Sequence, residues 1–200
     1  MIETIVFDFG GVLIDWSPKY VYKPMFNDDE KMNWFLSNVC TNEWNLEQDR
    51  GRTFAEGIAT LQASFPDYVD HINAFHSQWE QMLKGEIAET VSILKELKKK
   101  YKIYGLTNWS AETFPIALKR FDFLSLLDGI VVSGEEKMIK PDKKFFELLL
   151  ERYHLKAANC VFIDDNEHNI AAAKELGFHA IHFTSADSLK KELTSLNLIN

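Results

Sequence analysis

The chain has 200 residues, of which 46% are hydrophobic, and it carries a formal net charge of −8. This length suits one medium domain, or a core with a small inserted unit. The acidic balance and the lack of a basic stripe argue against nucleic acid or an anionic membrane as a partner. No apolar run approaches the roughly 20 residues of a membrane span, and a strand pattern that starts by Ile5 argues against a signal peptide.

The chain contains two cysteines, Cys40 and Cys160. Two cysteines do not make a disulfide framework. Cys160 lies in an apolar run, where we expect it to pack as a small hydrophobic residue. We therefore expect a reducing, cytoplasmic environment.

The first predicted element is a buried strand that ends at Asp8. Its apolar run leads directly to this carboxylate and then to Gly10 and Gly11, where the backbone is able to fold tightly around a ligand. In open α/β sheets, ligands bind at the carboxyl ends of the strands. Asp8 is therefore a candidate functional residue.

Residues 16–83 show no clear strand and are rich in aromatic side chains. Helical spacing of apolar residues occurs in three segments of this region, namely Asp29–Val39, Thr53–Ser64 and Val69–Leu83. The region therefore predicts a small, inserted, all-helical unit. Its aromatic residues Trp16, Tyr20 and Trp44 are candidates for lining a pocket, although each is also suited to the core of the unit.

Strands and helices alternate from residue 84 onward. The predicted helices are Glu86–Lys100, Ala111–Phe121, Asp142–His154, Glu167–Leu176 and Ser188–Leu196. The predicted strands are Lys102–Leu106, Gly129–Val132, Cys160–Ile163 and His179–Phe183. With the first strand, this alternation predicts an α/β fold whose core, residues 1–15 and 84–200, is a doubly wound parallel sheet.

Three other apolar segments of this core are also followed by polar residues, as the first strand is followed by Asp8. They are Thr107-Asn108, Lys140-Pro141-Asp142 and Asp164-Asp165. With Asp8-Phe9-Gly10-Gly11-Val12, these four motifs in this order resemble those of the haloacid dehalogenase (HAD) superfamily of phosphohydrolases, and the resemblance covers nearly the whole chain. The Asp-x-Gly-x-Val form of the first motif is most similar to a sugar-1-phosphatase-like branch.

The resemblance implies a Rossmann-like core with a helical cap of the C1 type at residues 16–83. It also implies a Mg²⁺-dependent phosphatase that acts on a small phosphorylated metabolite, for instance a sugar phosphate. Asp8 would be the nucleophile that forms an aspartyl-phosphate. Carried over motif by motif, Asp8, the Gly10 carbonyl and Asp165 would bind the metal, with Asp164 and Asn169 orienting the groups around it.

Thr107 and Asn108 match the second motif of the family, and this match implies that they hold phosphate oxygens. Lys140 matches the third, and its ammonium would contact both the phosphate and Asp8. Lys140 is therefore expected to serve both substrate binding and catalysis.

Gly10 departs from the Asp-x-Asp pattern of most phosphatases in the superfamily, in which the second Asp carries a proton. General acid–base catalysis contributes about 10²–10⁴-fold, so three interpretations stay open. The enzyme acts on good leaving groups, or a water or a cap residue moves the proton; Asp15 is one candidate. Alternatively the chain is a 2-haloacid dehalogenase, which needs no metal. Thirdly, it binds a phosphorylated ligand or a protein with little turnover.

Overall fold

The computed structural model describes residues 1–199 of the chain. Its strands are β1 Thr4–Phe7, β2 Ile14–Trp16, β3 Leu83–Glu86, β4 Lys102–Thr107, β5 Gly129–Val132, β6 Cys160–Asp164 and β7 His179–His182. Five of them form a parallel sheet in the order β5-β4-β1-β6-β7, and β2 pairs with β3 as a separate antiparallel ribbon. The sheet confirms the predicted α/β class.

Helices surround the sheet and form the region between β2 and β3. In residues 1–199 the α-helices are α1 Lys19–Phe26, α2 Asp29–Asn38, α3 Asn42–Asp49, α4 Phe54–Ser64, α5 Val69–Ser77, α6 Ala88–Leu97, α7 Phe114–Arg120, α8 Ser133–Glu136, α9 Lys143–Arg152, α10 Glu167–Glu175 and α11 Ala186–Ser195. Within this described part, none is long and apolar enough to cross a membrane.

The parallel sheet is buried on both faces, as the continuous apolar strands predict. In β1, Ile5 and Phe7 belong to one apolar cluster with α6 and α11, whereas Val6 belongs to a second cluster with α9 and α10. Successive side chains of a strand point to opposite faces. Helices therefore cover both sides of the sheet, and the doubly wound arrangement is confirmed.

The predicted core elements lie where expected, with small shifts at their ends. The strand Gly129–Val132 is observed as predicted, but the helix expected from Ala111 begins at Phe114. The helix expected from Glu86 begins at Ala88, because Glu86 is the last residue of β3. Backbone pairing with β2 thus places Glu86 in a strand, although the apolar spacing of the sequence assigns it to the following helix.

The expectation of no strand around residues 16–83 is wrong at both ends, because β2 and β3 enclose the region as a ribbon. We call residues 17–82 the helical insertion. Two of its helices, α1 and α3, were not expected: α1 contains Pro24, and α3 buries polar side chains, including Asn45 and Gln48, instead of an apolar stripe. The expected helix Val69–Leu83 ends at Ser77 and continues as a 3₁₀ turn.

Aromatic packing holds the helical insertion together. Tyr22 and Phe35 approach with ring centroids 5.0 Å apart, and Trp44 meets Phe75 edge-to-face at the same distance. Trp79 packs 5.6 Å from Phe75. Such pairs contribute about 0.5–1.5 kcal/mol each beyond the area that they bury, so the aromatic richness of the sequence serves mainly as the core of this unit.

One glycine of the sheet provides a test of this packing. A Cβ added at Gly105 in β4 would overlap the ring of Phe9 and contact Leu127. We expect Gly105→Ala to lower the free energy of unfolding by about 1–3 kcal/mol, the usual cost of overpacking. Urea denaturation measures this change. Gly85→Ala is the matched control, since a Cβ there meets no atom within 4 Å; equal loss in both variants would contradict the prediction.

Candidate active site

The carboxyl ends of three neighbouring strands bring the sequence motifs together. Asp8 follows β1, Thr107 ends β4 and Asp164 ends β6. Since β1 lies between β4 and β6 in parallel register, all three ends meet at one edge of the sheet. The backbone N–H of Asp8 donates to the carbonyl of Ile163 at 2.9 Å, which fixes the start of the loop after β1.

Three carboxylates cluster at this edge. Asp8, Asp164 and Asp165 each offer an oxygen, and these oxygens lie within 4.8 Å of one another. The ammonium of Lys140 lies 2.8 Å from Oδ1 of Asp8 and 2.7 Å from Oδ2 of Asp164. Asp8 is 9% exposed, and Lys140 and Asp164 are more deeply buried. The site is thus an ion cluster with an excess of negative charge, in which Asp8, Lys140 and Asp164 are buried and Asp165 is exposed.

Burial and charge shift the titration of this cluster. Burial raises the pKa of Asp8 to about 7; the Lys140 ammonium opposes this rise, and the charges of Asp164 and Asp165 add to it. The pKa of Lys140 is raised despite its burial, because two carboxylates stabilise its ammonium form. The cluster therefore favours a charged lysine and disfavours the ionised form of Asp8.

Asp164 and Asp165 have different surroundings. Asp164 accepts from Nδ2 of Asn169 at 3.0 Å and from the backbone N–H of Asn166 at 2.8 Å, besides Lys140. Asp165 is exposed by comparison and lies against Gly11, where an added Cβ would overlap its carboxylate. Gly11 also has a φ of +74°, which favours glycine. Asp164 is thus saturated by donors, while Asp165 keeps acceptor capacity at the site.

Asn108 has a positioning contact that sequence reasoning missed. Its Nδ2 donates to the Lys140 carbonyl at 3.0 Å, and its Oδ1 accepts from the Lys140 backbone N–H at 2.8 Å. Thr107 differs, because its buried hydroxyl has no hydrogen-bond partner within residues 1–199. Asn108 therefore ties the Lys140 loop to the end of β4, while the Thr107 hydroxyl is left with unused hydrogen-bonding capacity.

A cavity of about 760 Å³ opens above the cluster. Strand-end residues such as Asp8, Gly10 and Asp165 line it on one side. Trp16 and the insertion residues Asn42, Glu43, Asn45, Leu46, Asp49 and Trp79 also line it. The helical insertion thus forms part of the wall of the same cavity as the strand ends.

The aromatic candidates for this wall are separated by the structure. Trp16 lines the cavity, as expected. Trp44 instead packs within the insertion, and Tyr20 is 39% exposed with its hydroxyl donating to Asp15 at 2.8 Å. Neither Tyr20, Trp44 nor Asp15 belongs to the residues that line the cavity. Which aromatic side chain lines the cavity depends on how the helices pack against the sheet, and residue type alone does not determine this.

Sequence reasoning also missed Asn45 and Asp49, two buried polar residues one helical turn apart in α3. Asp49 is 5% exposed, and its Oδ2 accepts from Asn45 Nδ2 at 3.3 Å. A signal was present in the sequence, since a polar pair at i and i+4 shares one helix face. Its burial, however, depends on contact between the insertion and the sheet.

Known proteins are similar to this chain over nearly its whole length. A sesquiterpene phosphatase of Aspergillus oryzae is 29% identical over 198 residues, which cover 97% of this chain and 96% of that protein. D-ribitol-5-phosphate phosphatase of Bacteroides thetaiotaomicron is 22% identical over 206 residues, covering 97% and 98%.

A HAD family enzyme of the same Bacteroides species, solved as a magnesium complex, has a similar fold. It superposes with a TM-score of 0.73 at 22% identity, covering 92% of this chain and 93% of that one. The sequence model of the haloacid dehalogenase-like hydrolase family matches residues 2–177 of this chain. Because this match spans most of the sequence, the chain is an enzyme that belongs to the haloacid dehalogenase-like hydrolase family.

Proposed function

We propose that this enzyme is a Mg²⁺-dependent phosphohydrolase that cleaves a small phosphate monoester, for instance a sugar phosphate, through an aspartyl-phosphate on Asp8. The observation that carries the proposal is the buried Lys140 ammonium within 3 Å of both Asp8 and Asp164 at the strand ends. Relatives over nearly the whole chain are named as phosphatases, which supports this reaction class.

Asp8 is the proposed nucleophile. Its carboxylate attacks phosphorus, and the bond between phosphorus and the ester oxygen breaks. Lys140 faces Asp8 and is held charged by two carboxylates, so it stabilises the negative charge that develops on the phosphoryl group. Asn108 fixes the backbone of Lys140 and thereby the position of this ammonium.

The donor set fits a Mg²⁺ ion. Mg²⁺ prefers carboxylate and carbonyl oxygens together with waters. The cluster contains three carboxylates and one ammonium, so its negative charge is only partly neutralised without a further cation. Asp8, Asp165 and the Gly10 carbonyl would hold the ion, while Asp164 is occupied by its own donors and Asn169 orients it. A bound Mg²⁺ supplies charge neutralisation between the nucleophile and the phosphate.

The phosphate oxygens need further donors. The buried Thr107 hydroxyl has no hydrogen-bond partner among the described residues and is proposed to bind one of these oxygens. The helical insertion is the proposed cap that selects the organic part of the substrate, since Trp16, Trp79 and Leu46 supply apolar wall and Asn42 supplies a polar group. We propose that the enzyme works on a metabolite in the cytoplasm.

Removal of the nucleophile is the first test. We expect Asp8→Asn to lower kcat for phosphate release by at least about 10³-fold, because the neutral carboxamide of asparagine does not attack phosphorus as a carboxylate does. Release is measured with sugar phosphates, an isoprenyl phosphate and p-nitrophenyl phosphate, with Mg²⁺ or with EDTA. The control Asp187→Asn changes an exposed aspartate of α11.

Several outcomes of this assay would contradict the proposal. Phosphate release that persists in EDTA would show that the reaction does not require a metal ion. Phosphate release that persists in Asp8→Asn would show that Asp8 is not the nucleophile. Halide release from 2-haloacids without Mg²⁺, together with no phosphate release, would favour the dehalogenase reading, whereas phosphate-ester binding without turnover would favour a binding module.

Metal binding has a readout that does not need activity. At 100-fold excess over its Kd, Mg²⁺ should stabilise the fold by about 2.7 kcal/mol, or about 5–10 °C in Tm for a chain of this size. Asp165→Asn should raise Tm without Mg²⁺, because it relieves repulsion within the cluster, and should lose most of the Mg²⁺ increment. Thermal denaturation of both proteins measures this; an unchanged increment in Asp165→Asn would exclude Asp165 as a ligand.

A further inference from the structure

The proposed reaction needs a group that protonates the departing ester oxygen, since an alkoxide leaves poorly at neutral pH. Gly10 has no side chain to do so, and the three clustered carboxylates have other roles. Apart from Lys140, the remaining titratable side chains that line the cavity are Glu43, Asp49 and His168. Glu43 and His168 are exposed, whereas Asp49 is 5% exposed. The buried acid of the cavity wall therefore comes from the helical insertion.

We propose that Asp49 is the proton carrier of this enzyme, a role that rests on the proposed phosphohydrolase function. As Asp8 attacks phosphorus, the bond to the ester oxygen breaks, its electron pair stays on that oxygen, and the Asp49 carboxyl gives its proton to form the alcohol. A water then attacks the aspartyl-phosphate and loses a proton to the Asp49 carboxylate. The bond from phosphorus to Asp8 breaks, its electron pair returns to Asp8, and inorganic phosphate leaves.

The backbone of Asp49 is fixed to the sheet edge that carries the nucleophile. Ser133, fully buried just after β5, donates from Oγ to the Asp49 carbonyl at 2.6 Å. The same Oγ accepts from the backbone N–H of Trp109, next to Asn108, at 2.8 Å. This chain of hydrogen bonds connects the end of α3 to the ends of β4 and β5. It places Asp49 against the core, although it belongs to the insertion.

The side chain of Asp49 has surroundings suited to proton exchange. Burial raises the pKa of Asp49 to about 7; the backbone N–H of Ser110 lowers it, and the charge of Asp8 raises it. An acid whose pKa lies near the working pH serves both as donor and as acceptor. The carboxyl receives one side-chain hydrogen bond, from Asn45 at 3.3 Å, and no cation forms an ion pair with it within residues 1–199.

Asp49→Asn tests the proposal through the leaving group. A proton carrier matters for an alkyl ester but little for acetyl phosphate, whose leaving group departs without a proton. Because activation of the water belongs to the second step, the rate of leaving-group release is measured in a single turnover. We expect this rate to fall about 10²–10⁴-fold in Asp49→Asn for an alkyl phosphate such as a sugar phosphate, and less than about threefold for acetyl phosphate. Asp70→Asn, an exposed aspartate of the same insertion outside the cavity wall, is the matched control.

The two substrates separate the possible failures. Equal loss on both substrates would overturn the proposal, because Asp49 would then support folding or docking of the insertion. Wild-type activity on both substrates in Asp49→Asn would overturn it as well. If the wild-type protein hydrolysed neither substrate, the phosphohydrolase proposal would itself fail. Loss confined to the alkyl ester supports Asp49.

A second variant keeps the test independent of the insertion. An added Cβ at Gly10 meets no atom within 4 Å, so the backbone there leaves room for a side chain to begin. We expect Gly10→Asp, introduced into the Asp49→Asn protein, to restore alkyl-ester hydrolysis at least about tenfold, because the new acid lies two residues from the nucleophile. If this variant keeps the Tm of its parent and an intact single-turnover release of acetate from acetyl phosphate, and still shows no recovery, then proton supply is not what Asp49→Asn removes.

Discussion

The buried ammonium of Lys140 between Asp8 and Asp164 is the interaction on which the rest of the site depends. Carboxylates this close together would not stay ionised in a buried site without a cation. Removing one partner of a buried pair typically costs about 3–5 kcal/mol, so the lysine has structural as well as chemical importance. The loop that carries it is in turn fixed by both polar atoms of Asn108. Charge balance thus joins three strand ends into one unit.

The parallel sheet explains why residues so distant in sequence meet. Since β1 is central, with β4 and β6 on either side, polar groups at the three carboxyl ends converge without any long side chain. The helical insertion completes the enclosure. It contacts the sheet edge through Ser133 and the Asp49 carbonyl, and through the Phe54 backbone N–H, which donates to Glu112 at 2.9 Å. The cavity is therefore lined by two parts of the chain whose buried apolar residues, such as Tyr22 and Phe7, belong to one cluster.

The sequence predicted the sheet and placed Asp8, Thr107 and Asp164 at strand ends, because each lies at the end of an apolar run and the alternation of strands and helices is a local pattern. The helix α3 was missed, because its buried face is polar and apolar periodicity does not register it. Asp49 was missed for the same reason, and its burial arises only when the insertion docks. Aromatic residue type likewise failed to separate Trp16, which lines the cavity, from Trp44, which fills the insertion.

The hydrogen bond from Ser133 to the Asp49 carbonyl has a consequence for the order of events in a catalytic cycle. Any separation of the insertion from the sheet edge during substrate entry would break this bond and carry Asp49 away from Asp8. Exchange of ligands with solvent and transfer of protons would then alternate in time. An enzyme built this way would hold a reactive phosphoryl group next to its acid only while the alcohol acceptors of the surrounding solution are shut out.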